Sequence, residues 1–136
     1  MILEVNGMRE KHYLIDSNIL IYHLRGNSVI EDFLYNNIDF CAISIITYIE
    51  VLSFNFQNSY DENIARNLLK SFEIIDINQD IAEQSIKNRK FKKIKLPDNI
   101  IASTSQVNKS ILVTRNEKDF KSLDIDIFNP FSGLDG

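Results

Sequence analysis

Between His12 and Phe128 the chain alternates short apolar runs with longer segments of helical period, and this order narrows the architecture more than any other feature. His12–Asp16, Phe40–Ile43, Glu73–Ile77, Ile111–Thr114 and Ile125–Phe128 read as strands, being short and largely apolar. Helix candidates stand between them. Ser17–Asn18 can cap a helix running through Leu24, and Asn27–Asn36 sets Val29, Ile30, Phe33 and Leu34 on one side. Ser44–Asn55 reads as a buried helix, and Glu62–Phe72 as an amphipathic one carried by Ile64, Leu68, Leu69 and Phe72. Asp80–Phe91 follows, Pro97 suits the first position of a helix ending at Asn108, and Glu117–Lys121 makes a short helical turn. Strands alternating with helices predict an α/β fold: a three-layer α/β/α sandwich around a central, mostly parallel sheet of about five strands. In such sheets ligands bind beyond the carboxyl ends of the strands.

A chain of 136 residues is expected to form one domain with a real core. We expect that domain to span residues 12–130, preceded by an extension over residues 1–11 and followed by a tail over 131–136. Met8, followed by Arg-Glu-Lys, fits an alternative start, so residues 1–7 read as loosely held. The N-terminus lacks the long apolar core of a secretory signal, and no run of 18 apolar residues offers a membrane span. A single cysteine, Cys41, excludes an internal disulfide framework and suits a reducing cytoplasm.

Other classes of site are excluded by what is scarce. The four glycines (7, 26, 133 and 136) do not cluster, so there is no phosphate-cradling loop and no dinucleotide fingerprint. Two histidines without a cysteine or acid at ligand spacing make no zinc site.

The unusual feature is where the acids fall. His12–Leu24 holds one formal charge, Asp16; Cys41–Phe56 holds only Glu50; Leu96–Asn108 holds only Asp98. In a chain that is 25% charged, three core-like segments each admit one lone carboxylate. Asp119, five residues beyond the fourth strand, can reach the same end of the sheet. Each acid alone has a structural role open to it. Asp16 stands where helix caps stand, and Thr47-x-x-Glu50 matches a capping box. An anion in the first turn, as Asp98 would be, is favoured by about 0.3–1 kcal/mol, and Asn116-x-x-Asp119 resembles another cap. The helix holding Glu50 reads as starting near Ser44, however, which leaves Glu50 in the second turn, where a capping box has no meaning.

If the acids converge, two carboxylates about 4 Å apart repel by roughly 4 kcal/mol at an effective dielectric near 20. A raised pKa or a bound cation relieves that repulsion. Oxygen ligands without imidazole or thiolate select a hard ion such as Mg²⁺ or Mn²⁺, and magnesium keeps several waters. One or two such ions can activate a water and clamp a phosphate, so the implied reaction is phosphodiester hydrolysis.

These stretches resemble the PIN-domain nucleases, and in particular the VapC toxins of toxin–antitoxin pairs. The matching pieces are LIDSNILIYHL, ISIITYIEVL and LPDNIIASTSQVNKSILVTRNEKDF, in order over about residues 12 to 130. The last block is the most specific. Serine stands at 17 where threonine is commoner, and Lys109-Ser110 precedes the fourth strand where the family often has glycine. The resemblance implies that Asp16, Glu50, Asp98 and Asp119 are metal-binding acids, with Ser17 and Asn18 steadying the first and Thr114 and Asn116 supporting the fourth. It further implies a Mg²⁺- or Mn²⁺-dependent ribonuclease, a homodimer, and a cognate VapB-like antitoxin that covers the acidic cleft.

Other readings remain open at this stage. A PIN-domain nuclease of RNA processing would share these motifs, whereas an inert relative that only binds RNA or protein would be marked by the loss of an acid, and all four are present. A haloacid-dehalogenase phosphatase needs a second aspartate at position 18, where Asn18 stands. A receiver domain wants its acceptor aspartate in mid-chain, where the acid is Glu50 inside a helix. Charge adds one further candidate. Lys87–Lys95 carries six basic residues and no acid, leaving nine basic against 19 acidic residues elsewhere. Arg89, Lys90, Lys92 and Lys93 are therefore candidate contacts to an RNA backbone, the alternative being a solvated helix end that complements the dipole.

Overall fold

The structure is a computed structural model and describes residues 4–5, 8–9 and 12–132. The strands are β1 (Glu4–Val5), β2 (Met8–Arg9), β3 (Tyr13–Ile15), β4 (Cys41–Ser44), β5 (Glu73–Ile75), β6 (Ile111–Val113) and β7 (Asp126–Phe128). The helices are α1 (Ser17–Leu24), α2 (Ser28–Asn37), α3 (Ile45–Leu52), α4 (Ser59–Leu69), α5 (Gln79–Phe91), α6 (Leu96–Asn108) and α7 (Glu117–Phe120), with a 3₁₀ turn at Ile38–Phe40. β1 and β2 pair as a small antiparallel ribbon that the sequence reading did not contain. The rest of the expected extension over 1–11, and the tail beyond Ser132, lie outside the described residues.

The other five strands form one sheet in the order β5-β4-β3-β6-β7, and every pair in it is parallel. The sheet is thus all parallel rather than mostly so. Alternation along the strands explains why helices must cover both faces. Ile15, Ile43 and Val113 point to one side, where Ile19, Leu20, Ile30, Leu34, Val51, Ala65 and Leu69 of α1–α4 bury them. Leu14 and Leu112 point to the other, against Ile101 and Ala102 of α6 and Phe120 of α7. Each of these side chains is almost wholly removed from water, which is worth about 1.5–3 kcal/mol for a full-sized one.

Polar caps set where the helices begin. Asn27, Ser44, Asn58 and Asn78 each accept a backbone N–H from the first turn of α2, α3, α4 and α5. The cap at Asn58 starts α4 at Ser59, before the Glu62 expected from apolar spacing. Helix α3 runs only to Leu52, short of Asn55, and α6 begins one residue before Pro97. At the far end of α6, Lys109 takes a left-handed conformation, φ 55° and ψ 41°, a geometry that a residue with a Cβ adopts at a cost.

Helix α5 packs on α6 through a buried polar network. Asn88 Nδ2 donates to Asn99 Oδ1 (3.1 Å), Ser103 Oγ (3.0 Å) and Gln106 Oε1 (2.8 Å), while Asn99 Nδ2 donates to the Ser85 carbonyl at 2.8 Å. Ser85 and Ser103 join hydroxyls at 2.8 Å. Such a network fixes the register of the two helices, and with it the start of α6. Among the described residues no helix is long and apolar enough to cross a membrane.

Candidate active site

Strand order reverses beside β3: β4 lies on one side of it and β6 on the other. A crevice opens at the carboxyl end of such a switch point. Asp16 follows β3 directly and its backbone N–H donates to the Val113 carbonyl at 3.0 Å, tying the first acid to the end of β6. Its side chain is only 5% exposed. Asp16 is the N-cap residue of α1, yet its Oδ1 takes the N–H of Ser17 (2.8 Å) and not one deeper in the turn, as an ordinary cap does. The other oxygen, Oδ2, accepts from Thr114 Oγ1 at 2.8 Å and from Asn18 Nδ2 at 3.3 Å.

Thr114 is itself held. Its Oγ1 accepts the Asn116 N–H at 3.0 Å and the Asn18 amide at 3.4 Å. Asn116 thus supports the site through its backbone, and its side chain makes no capping bond to α7. Ser17 turns its hydroxyl to Glu50 Oε1 at 2.5 Å. Glu50 is exposed in the second turn of α3, whose cap is Ser44, so the capping-box alternative does not apply. Asp98 lies half-buried in the first turn of α6, where the helix dipole favours it, and Asp119 is exposed on α7.

The acids feel one another. Burial, opposed by the Thr114 and Ser17 hydrogen bonds and reinforced by the charges of Asp98 and Glu50, raises the Asp16 carboxyl to about 6. Asp98 is raised by burial and by the charges of Asp119 and Glu50, with Lys95 opposing. All four acids are therefore linked pairwise through Asp98. They do not form a ready-made cage: among the described residues, no three His, Cys, Asp or Glu side chains stand as a group able to hold a metal ion.

The donor set nevertheless fits a hard divalent cation. Every donor is oxygen, and Cys41, the one thiol, sits at the start of β4 with burial pushing its pKa up to about 12. An ion of the magnesium type needs only one or two carboxylates because it keeps its waters.

The basic strip divides. Lys92 Nζ donates to the Asp119 carbonyl at 3.1 Å and so belongs to the rim of the acidic crevice. Arg89, Lys90 and Lys93 instead line a groove between α5 and α6, floored by Ile86, Ile94 and Ile100. Sequence reasoning missed Arg115, which stands beside Thr114 with its guanidinium 5.2 Å from the centre of the Tyr22 ring and 4.7 Å from that of Phe131. No local pattern links those three positions.

A fold with an all-parallel sheet, both faces covered and four carboxylates around its switch point, describes the PIN domain. The model of that family matches residues 13–126, and the chain belongs to it. A chain of a toxin–antitoxin complex from Klebsiella pneumoniae is 38% identical, covering 87% of this chain and 97% of that one with a TM-score of 0.74. A chain of DNA-bound VapBC from Salmonella typhimurium shares 18% identity over 89% of this chain and 99% of that one, with a TM-score of 0.80. VapBC2 from Rickettsia felis, bound to a promoter DNA fragment, shares 23% over 86% and 97%, with a TM-score of 0.76. At those lower identities the likeness is one of fold alone. No relative among curated proteins matches this sequence.

Proposed function

We propose that this protein is a metal-dependent endoribonuclease and the toxin partner of a VapBC-type toxin–antitoxin pair, acting in the cytoplasm as a homodimer. One observation carries the reading: a buried aspartate, framed by Thr114, Asn18 and Ser17, whose charge is opposed by two further acids at the carboxyl edge of the sheet. The 38% identity to a chain of a toxin–antitoxin complex supports the toxin role and a VapB-like antitoxin as partner.

Asp16, Asp98, Glu50 and Asp119 are the residues that would hold Mg²⁺ or Mn²⁺. When bound, such an ion supplies Lewis-acid stabilisation of the phosphate and a water acidic enough to attack it. The chain's own part is orientation. Thr114 and Asn18 aim Asp16 Oδ2, and Ser17, the residue after Asp16, holds Glu50. Lys92 anchors the α7 backbone at Asp119.

The test is cleavage of single-stranded RNA by purified protein with Mn²⁺ and with EDTA. Cleavage with Mn²⁺, its loss in EDTA, and its loss in Asp16→Asn are the expected results. Equal cleavage by parent and Asp16→Asn would overturn the assignment of Asp16. One rival is a PIN relative that binds RNA without cutting it; the presence of all four acids, Asp16, Glu50, Asp98 and Asp119, argues against it. Binding without cleavage across Mg²⁺ and Mn²⁺ would decide for the rival.

A further inference from the structure

Among the described residues, Arg115 has no acidic partner, in a chain rich in acids. Its guanidinium lies against the rings of Tyr22 and Phe131, which meet edge to face at 5.1 Å, and its Nη1 donates to the Tyr22 hydroxyl at 2.9 Å. Its backbone N–H donates to Asn18 Oδ1 at 3.4 Å, and Asn18 in turn donates to Asp16 Oδ2. The Arg115 backbone is thus tied through Asn18 to Asp16, one residue on from Thr114, while its exposed side chain is held on Tyr22 and Phe131. Apart from the bond to Tyr22, its guanidinium N–H groups have no acceptor among the described residues.

Two explanations compete. The stack could serve only to fasten the segment around Phe131 to α1. A pure fastening role uses the two ring faces and the bond to Tyr22, and leaves the remaining guanidinium donors of an exposed side chain without a purpose. What a stacked arginine adds is a planar fork whose rotamer is already restricted, so that little entropy is lost when it binds a doubly bonded anion. A crevice lined with carboxylates repels a polyanion, and a cation held on the residue after Thr114 would offset that repulsion for a flanking phosphate.

We infer that Arg115, held by Tyr22 and Phe131, is a substrate-binding residue that grips a backbone phosphate of single-stranded RNA adjacent to the scissile one. This rests on the nuclease reading above for the identity of the ligand. Substrate is thereby bound through Arg115 and cut at the acids, so the arginine governs KM and the acids govern kcat.

The experiment compares the parent with Arg115→Gln and Arg115→Lys on a labelled single-stranded oligoribonucleotide with Mn²⁺, over a range of salt. Arg115→Gln is expected to raise KM about tenfold with kcat near the parent's, and to make the slope of log kcat/KM against log salt shallower by about 0.7, the value for one phosphate contact on a single strand. Arg115→Lys keeps the charge and should keep the salt slope while recovering part of KM. An Arg115→Gln protein with a lower melting temperature but parental KM and salt slope would overturn the proposal in favour of fastening alone. If the parent cuts nothing, the nuclease reading fails by itself. Fluorescence anisotropy of the same oligonucleotide then still judges Arg115, and equal affinity of parent and variant overturns it.

Discussion

Ser17 donates its hydroxyl hydrogen to Glu50 across 33 positions of sequence, at 2.5 Å, joining the start of α1 to the second turn of α3. Because Ser17 N also donates to Asp16, one residue steadies two of the four acids. Removing the hydroxyl frees Glu50 to swing into solvent, where it is already exposed. Ser17→Ala should therefore lower RNA cleavage by about tenfold, corresponding to about 1.4 kcal/mol in the barrier, with little change in melting temperature. Ser17→Thr, which keeps the hydroxyl, should stay near the parent. Steady-state kinetics on one RNA substrate separates the cases, and an unimpaired Ser17→Ala would show the bond to be idle.

The raised Asp16 carboxyl makes stability depend on pH in a definite direction. Its folded pKa, about 6, lies above that of an unfolded aspartate, so between about pH 4 and pH 6 the native state holds more protons than the unfolded one. Stability is then greatest below pH 4 for this group and falls as pH rises through 6. The shift corresponds to at most about 3 kcal/mol. Asp98, also raised, acts in the same sense. Asp16→Asn should raise stability at pH 7.5 and flatten its decline between pH 4 and 6. Urea denaturation at both pH values tests this, and a variant as pH-dependent as the parent would contradict it.

A cation that binds only the native acids stabilises them by mass action. Millimolar Mn²⁺ should raise the melting temperature of the parent and not that of Asp16→Asn. Equal shifts in both would place any ion elsewhere.

Lys109 closes α6 with positive φ. Glycine meets no Cβ clash there, so Lys109→Gly should stabilise by about 0.5–1 kcal/mol after allowing for its freer unfolded chain. The expected sign is a higher urea midpoint with unchanged slope.

Asn88 is the hub of the network between α5 and α6, donating to three side chains while it is itself buried. Asn88→Ala leaves buried Asn99 and Ser103 oxygens with fewer donors and should cost about 1–3 kcal/mol. Asp98 is the neighbour of Asn99, so cleavage should fall more than stability alone explains. Kinetics measured well below the melting temperature would show whether it does.

Much of this was legible in the sequence because hydrophobic period survives in short strands. The five sheet strands were all read to within two residues, and the position of Glu50 in a second turn followed from Ser44. Boundaries set by a single polar cap were harder. Ser59, Tyr60 and Asp61 are exposed, so no apolar spacing announced the start of α4, and only the Asn58 side chain defines it. The ribbon at Glu4–Arg9 carries too few residues to show a period. Long-range partners were least visible. Lys92 looked like part of a uniform basic strip until its bond to Asp119 separated it from Arg89, Lys90 and Lys93. Arg115 gave no signal, since Tyr22 and Phe131 approach it only through the fold.

β3 and β6 lie side by side although the Thr114–Asp16 hydrogen bond spans 98 positions of chain. A ribosome making this protein therefore extrudes Asp16 and Glu50 long before the strand that frames them. Abortive translation products and fragments clipped ahead of β6 carry both acids without the Thr114 hydroxyl that holds Asp16. On the nuclease reading, the site is completed only after β6 and the Asp119 helix have left the ribosome.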